Sequence, residues 1–166
     1  MSKEIVLEKN TLITSKTDLK GIITYANRDF LKYAGYELKE ILGVNHNIIR
    51  HKDMPRAAFW LLWDLLKKKE EFFGFVKNKA KNGDYYWVFA NITPSFNEKG
   101  EVISYYSVRR KASKQGIQTA QAVYSELLKA EGPNGDIKAG VNRLLELLNG
   151  TDYNEFVLGL QLGGDK

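Results

Sequence analysis

Apolar positions along the chain change their spacing repeatedly, and each change marks an element. Thr11 to Ser15 and Gly21 to Tyr25 are short and rich in β-branched residues, with Lys16-Thr17-Asp18-Leu19-Lys20 between them. That pattern predicts two strands around a turn. From Asn27 the spacing becomes helical through Phe30, Leu31 and Ala34, with Asn27 as N-cap and Gly35 as stop. Leu38, Ile41 and Leu42 predict a further turn or two of helix before Gly43, and a polar, irregular or one-turn segment follows. After Pro55, Phe59, Leu62, Trp63 and Leu66 recur at i, i+3, i+4 and i+7, while Trp60, Leu61 and Leu65 occupy other sides. A helix apolar over most of its circumference is buried, or partly covered by a partner.

Strand spacing returns at Phe72 to Lys79, Tyr85 to Thr93 and Val102 to Arg110, with Asn82-Gly83 and Asn97-Glu98-Lys99-Gly100 as turns. Two strands, short helices and three strands predict an α+β domain: one antiparallel five-stranded sheet with its helices gathered on one face. In the middle strand Tyr85, Trp87, Phe89 and Asn91 alternate with Tyr86, Val88, Ala90 and Ile92, so both faces are apolar or aromatic. A sheet open to water on one side shows more polar alternation. The second face therefore needs a cover, from the terminal segments, a dimer mate or a partner protein.

Two amphipathic C-terminal helices are predicted, Gly116 to Ala130 and Ile137 to Asn149, separated by Glu131-Gly132-Pro133-Asn134-Gly135. Their apolar stripes cannot stand alone in water. The expected organisation is an N-terminal segment at 1–10, a domain at 11–112, a helical extension at 113–158 and a loose tail at 159–166.

At 166 residues, with 43% hydrophobic and 27% charged positions, the chain is an ordinary globular one, long enough for one domain plus extra elements. Its apolar runs fall far short of the ~20 residues that cross a bilayer, and no signal-type core follows Met1. A cytoplasmic protein with no direct membrane insertion is expected. The net charge of +5 raises the question of nucleic acid. The lysines are scattered, however, and Lys67-Lys68-Lys69 suits a solvated helix end that complements the helix dipole; nucleic acid is not the expected partner. The complete absence of cysteine excludes disulfides, thiolate haem ligation, thiol redox switching and cysteine-based zinc sites.

The candidate chemistry is concentrated in His46-Asn47-Ile48-Ile49-Arg50-His51-Lys52-Asp53-Met54-Pro55, which holds both histidines of the chain. Arg50 offers a planar fork of donors matched to phosphate or carboxylate oxygens, and His51 adds a donor that titrates near neutral pH. A structural network, with Arg50 paired to Asp53 and His46 capping a helix, fits the same residues. Asn78 lies in phase with Phe72, Gly74 and Val76 and is expected to point inward. There its amide needs partners for oxygen and nitrogen alike, from a ligand or from backbone at a sheet edge. Trp63, Phe72 and Trp87 fit either an aromatic ligand or plain core. His46 and His51 are wrongly spaced for one helix face, and neither a metal site nor a nucleophile elbow, P-loop or dinucleotide fingerprint is recognisable. No enzyme is expected.

These motifs, with Val76-Lys77-Asn78 and Lys81-Asn82-Gly83-Asp84-Tyr85-Tyr86-Trp87-Val88 in the same order, resemble the flavin-binding PAS sensor domain of bacterial aerotaxis receptors over roughly residues 11 to 110. The resemblance implies a PAS fold holding FAD noncovalently. Arg50, His51 and Asp53 match positions associated with FAD, and Asn27, His46 and Asn78 match others implicated in the site; Trp63 and Phe72 are the aromatic candidates. Phe72 stands where the family commonly has tryptophan, and Lys52 where it often has proline. Without cysteine, the adduct used by light-sensing relatives of this fold is unavailable. The resemblance further implies a redox or energy-taxis sensor that signals to a separate membrane-bound chemotaxis transducer, with a homodimer as another arrangement. The alternatives are a cofactor-free interaction module and a haem-based gas sensor using His46.

Overall fold

A computed structural model describes residues 1–163. Five antiparallel strands, β1 (Ile13–Thr17), β2 (Ile23–Ala26), β3 (Phe72–Lys79), β4 (Tyr85–Phe96) and β5 (Val102–Lys111), form one sheet in the order β2-β1-β5-β4-β3. The hairpins follow from their turns. Asn82 Oδ1 accepts from Asp84 N at 2.9 Å between β3 and β4, and Asn97 Oδ1 accepts from Lys99 N and Glu101 N between β4 and β5. Between β2 and β3 lie α1 (Arg28–Ala34), α2 (Leu38–Ile41), a 3₁₀ turn (His46–Ile49) and α3 (Arg56–Lys67). Asn27 caps α1 by accepting from Phe30 N at 3.0 Å, and Gly35 ends it in the left-handed region at φ 75°.

The alternation in β4 divides two packed layers. Tyr86, Val88 and Ala90 join Ile13, Ile23, Phe30 and Ile41 on the inner face. Trp87 and Phe89 join Phe75, Tyr124, Leu127, Leu144 and Val157 on the outer face. The outer cover is the chain's own C-terminus, folded as α4 (Lys114–Glu131), α5 (Ile137–Leu148) and α6 (Tyr153–Gly163). Trp87 stacks on Tyr124 with ring centroids 6.3 Å apart, and the Tyr124 hydroxyl donates to Phe75 O. Gly116 allows the close approach of α4, since a Cβ there would lie 2.2 Å from the Phe75 ring. Helix α3 is apolar almost all round because it has two neighbours: Leu62 and Leu66 turn towards the inner face, while Ala57 and Ala58 join the cluster containing α5.

Some expected boundaries move. Strand β1 ends two residues later than expected, because Lys16 and Thr17 still pair with Tyr106 and Tyr105 of β5. Helix α6 takes in Gly159 to Gly163, which the sequence suggested as tail; residues 164–166 lie outside the described residues. Two glycines weaken the helical signal there, and tertiary bonds outweigh it: Gln161 Oε1 accepts from Ser113 N at 2.8 Å, its amide nitrogen donates to Lys111 O, and Ser113 Oγ donates to Leu160 O. No helix among the described residues is long and apolar enough to cross a membrane.

Candidate functional site

Between the inner face and helix α3 lies a chamber of about 490 Å³, within the range of small-molecule sites. Its apolar walls include Phe59, Leu62, Trp63 and Leu66 of α3, with Val76, Ala90 and Ile92 from the sheet. Trp63 meets Tyr105 edge to face at 5.5 Å. A second, more open cleft of about 820 Å³ carries Arg50, His51, Lys52, Arg56 and Lys79. Asn47 and Arg50 line both, so one guanidinium borders an apolar chamber on one side and a basic cleft on the other.

Three polar atoms in the chamber wall are buried with no partner within hydrogen-bond distance: Asn78 Nδ2, Ser107 Oγ and Arg109 Nη1. Asn78 lies across the strands from Tyr86, whose hydroxyl pKa burial raises to about 12 while the Arg109 charge and the Asn78 amide lower it. Asn78 is inward, as its register with Val76 predicts, and its backbone bridges that of Arg50. Arg109 is 3% exposed, and no carboxylate among the described residues pairs with it. Cross-strand pairing of Ala90 with Arg109 and Ile92 with Ser107 puts both β5 residues on the inner face. Arg109 Nη2 reaches Ser15 Oγ at 3.3 Å and the His46 ring Nε2, and its guanidinium lies 5.6 Å from the Phe30 ring centre. Burial lowers its pKa to about 10. Burial first, and the Arg109 charge second, hold His46 well below its ordinary 6.5, so the ring is neutral. Its Nε2 lies 3.1 Å from Ser15 Oγ.

The other sequence candidates divide by position. Arg50 lays its guanidinium 3.8 Å from the Phe59 ring centre, a stacked placement that leaves its edge donors free to turn to a ligand. His51 lines the open cleft; its Nδ1 accepts from Asp53 N at 3.1 Å, and burial followed by the Lys77 charge lowers its pKa. Asp53 lines neither cavity and is engaged by Lys77 at 2.7 Å, whose hydrogen bond holds the carboxyl below its usual range. The sequence suggested an Arg50–Asp53 pair, but the lysine on β3 supplies the partner. Nor does His46 cap a helix; Asn45 caps the 3₁₀ turn by accepting from Asn47 N. Asn27 has its amide spent on Thr14 N, Phe30 N and Leu12 O at the junction of β1 and α1, away from both cavities. Phe72 is buried beside Leu62 and Leu66 but stacks on Tyr153 of α6 at 5.6 Å instead of lining the chamber.

Sequence reasoning passed over Ser15, Ser107, Arg109 and Glu131. The available signal was a cation and a serine in alternate positions of β5, in phase with Tyr105, on a face that must be inward if Ala90 and Ile92 are. No cluster of three or more metal-type ligands is found among the described residues.

Comparison with known proteins identifies relatives of this domain. The chain is 45% identical over 121 residues to the aerotaxis receptor of Escherichia coli K12, covering 73% of this chain and 24% of the receptor. It is 32% identical over 108 residues to the nitrogen fixation regulatory protein of Klebsiella pneumoniae, covering 65% of this chain and 22% of that protein. The chain thus spans about a quarter of the length of these relatives. Among solved structures, the light-state LOV domain of the blue-light photoreceptor Aureochrome1 superposes with a TM-score of 0.59 at 22% identity, over 69% of this chain and 88% of that one. That likeness shows the fold. The PAS fold model matches residues 23–109, the segment that holds every wall of the chamber except those from β1 and the turn after it, and the chain belongs to the PAS family of sensor domains.

Proposed function

We propose that this PAS domain is a redox sensor of the energy-taxis type that holds FAD noncovalently, with the flavin ring in the apolar chamber and the diphosphate in the basic cleft. The observation that carries this reading is the convergence of Asn78 Nδ2, Ser107 Oγ and Arg109 Nη1, all unpaired, on one largely apolar chamber. Each buried polar group left without a partner costs roughly 1–3 kcal/mol. A planar ligand edged with carbonyl and N–H groups offsets that cost, and the flavin pyrimidine edge is such a ligand. The aerotaxis receptor likeness supports the same choice.

FAD, when bound, supplies a ring whose charge and hydrogen bonding change with its electron count. The chain's residues hold and read that ring. Asn78 would offer its amide as a donor to an acceptor on the ring edge. Arg109 keeps a fixed positive charge in a low-dielectric wall and favours the more negative state of whatever it faces. His46, kept neutral by burial and by that charge, orients the guanidinium together with Ser15. Arg50 and His51 would hold the phosphates, and Trp63 would supply an aromatic wall for the ring. Asn27, Asp53 and Phe72 act at one remove: Asn27 fixes the joint between β1 and α1, Asp53 steers Lys77 and His51, and Phe72 braces α3 against α6.

The output partner in this reading is a membrane-bound chemotaxis transducer. Because α4, α5 and α6 cover the outer face of the sheet, the docking surface is formed by those helices. The first test is the absorption spectrum of freshly purified protein, followed by denaturation and chromatography of any released chromophore. Released FAD, depleted by Arg50→Ala in a folded protein, is the expected result. Protein that stays colourless after FAD reconstitution sinks the reading in favour of an interaction module, and a Soret band moves it to haem.

A further inference from the structure

The open cleft contains one carboxylate among its cations, and that carboxylate belongs to the C-terminal helices. Glu131, the last residue of α4, is 4% exposed. Its Oε2 accepts from Arg56 N and its Oε1 from Ala57 N, each at 3.1 Å. These are orphan donors at the start of α3, whose N-cap position is held by Pro55 with no side-chain cap. Glu131 therefore supplies from 75 residues away the anion that a helix N-terminus favours. The α4–α5 turn is drawn in with it. Arg56 Nη1 donates to Gly135 O at 3.4 Å, and Gly140 on α5 sits so close that a Cβ would come within 2.6 Å of Glu131 Cγ. Glu131, Gly132 and Gly135 form one wall of the cleft and Arg50, His51 and Arg56 another.

Resting on the placement of the cofactor's diphosphate in this cleft, we propose that Glu131 is a latch. It acts as an internal anion that pins the α4–α5 hairpin to the start of α3, and a diphosphate in the cleft competes with it. A phosphate between Arg50 and Arg56 repels the Glu131 carboxylate and takes the guanidinium that holds Gly135. Loading the cleft therefore loosens the hairpin, and the coupling is reciprocal: whatever opens the latch tightens the diphosphate. Cofactor occupancy is in this way transmitted to the helices that cover the outer sheet face.

The test uses the full chain, freed of any retained flavin, with inorganic pyrophosphate as the ligand. In the wild-type protein, pyrophosphate is expected to speed hydrogen–deuterium exchange across residues 132–148 and at the Ala57 amide, leaving β3, β4 and β5 unchanged. Glu131→Gln, which removes the charge but keeps an acceptor, is expected to bind pyrophosphate about fivefold tighter or more. Glu131→Asp keeps the charge on a shorter arm and gains no such affinity. Equal or weaker binding by Glu131→Gln, slower exchange on adding pyrophosphate, or no binding to either protein overturns the latch. The wild-type exchange measurement decides the matter even if a variant fails to fold. A chain that takes up flavin but, once freed of it, shows no pyrophosphate-dependent exchange sinks the latch alone; pyrophosphate-dependent exchange in a chain that takes up no flavin sinks the cofactor reading alone.

Discussion

The two faces of strand β4 are built from alternate residues of one segment, yet they have been completed in opposite ways. On the outer face the polar groups have partners: Tyr124 donates to Phe75 O, Ser113 Oγ donates to Leu160 O, and Trp87 and Phe89 are packed by aromatic and aliphatic side chains. On the inner face Asn78, Ser107 and Arg109 each keep a buried atom with no partner, beside a chamber of about 490 Å³. Native interiors rarely leave polar groups unpaired or space unfilled. The outer face is therefore organised for stability, whereas the inner face carries a cost that a ligand can remove.

Truncation on the packed face gives the largest expected effect. Leu127 is fully buried on α4, and Leu127→Ala should destabilise the protein by ~3 kcal/mol, read as a lower urea midpoint at unchanged slope. A loss below ~1 kcal/mol would mean that the helices cover the sheet without packing on it. The opposite sign is expected across the sheet. Arg109→Met replaces an unpaired buried cation with a flexible apolar chain and should stabilise the cofactor-free protein by about 1–2 kcal/mol. The same variant should lose flavin. If Arg109→Met destabilises the cofactor-free protein instead, the guanidinium is structural and the contrast between the faces fails.

Legibility in the sequence followed the same division. The outer cover was foreseen because both residue sets of β4 are apolar, and Asn78 was placed inward because strand alternation is local. Arg109 was not, since an arginine in a strand reads as solvent-facing until the pairing of Ala90 with Arg109 turns it inward. The polar run from His46 to Pro55 looked like one unit, but its members disperse: Asp53 to Lys77, Arg50 over Phe59, His46 to Arg109. Each of those partners lies outside the run. Glu131 read as the start of a break for the same reason, its function depending on two amides at the far end of another helix. Helix α6 escaped notice because its glycines weaken a pattern that only docking restores.

Asn78→Ala sharpens the comparison at smaller cost. Removing Nδ2, unpartnered in the cofactor-free protein, relieves its desolvation cost while truncation loses packing, so the substitution should move the urea midpoint little. Its effect should fall on ligand binding: loss of one hydrogen bond of roughly 1.4 kcal/mol weakens flavin tenfold. Titration of apoprotein with FAD, followed by flavin fluorescence, reads this directly. Equal affinities in the two proteins would leave Asn78 as a purely structural amide.

The smallest effect is a slope. The folded protein holds His46 well below 6.5, so below that pH the unfolded chain takes up a proton that the native chain refuses. Stability should therefore fall as pH drops through and below about 6.5, at up to ~1.4 kcal/mol per pH unit from this group. His51, lowered less, contributes in the same direction. Asp53 enters only near its ordinary 3.8 and below, where the unfolded chain takes up a proton that the native carboxyl, held ionised by Lys77, refuses. Urea midpoints between pH 7.5 and 5.0 separate the terms. His46→Gln should flatten most of the decline in that window without touching the acid limb. The inner face would then carry most of the pH sensitivity in this window, with His51 beside Tyr85 the smaller contributor, while burial pushes the pKa of Tyr124 and of Tyr153 on the outer face well above neutrality. A decline that survives His46→Gln unchanged would place the responsible proton elsewhere and remove His46 from the account of how the inner face differs from the outer.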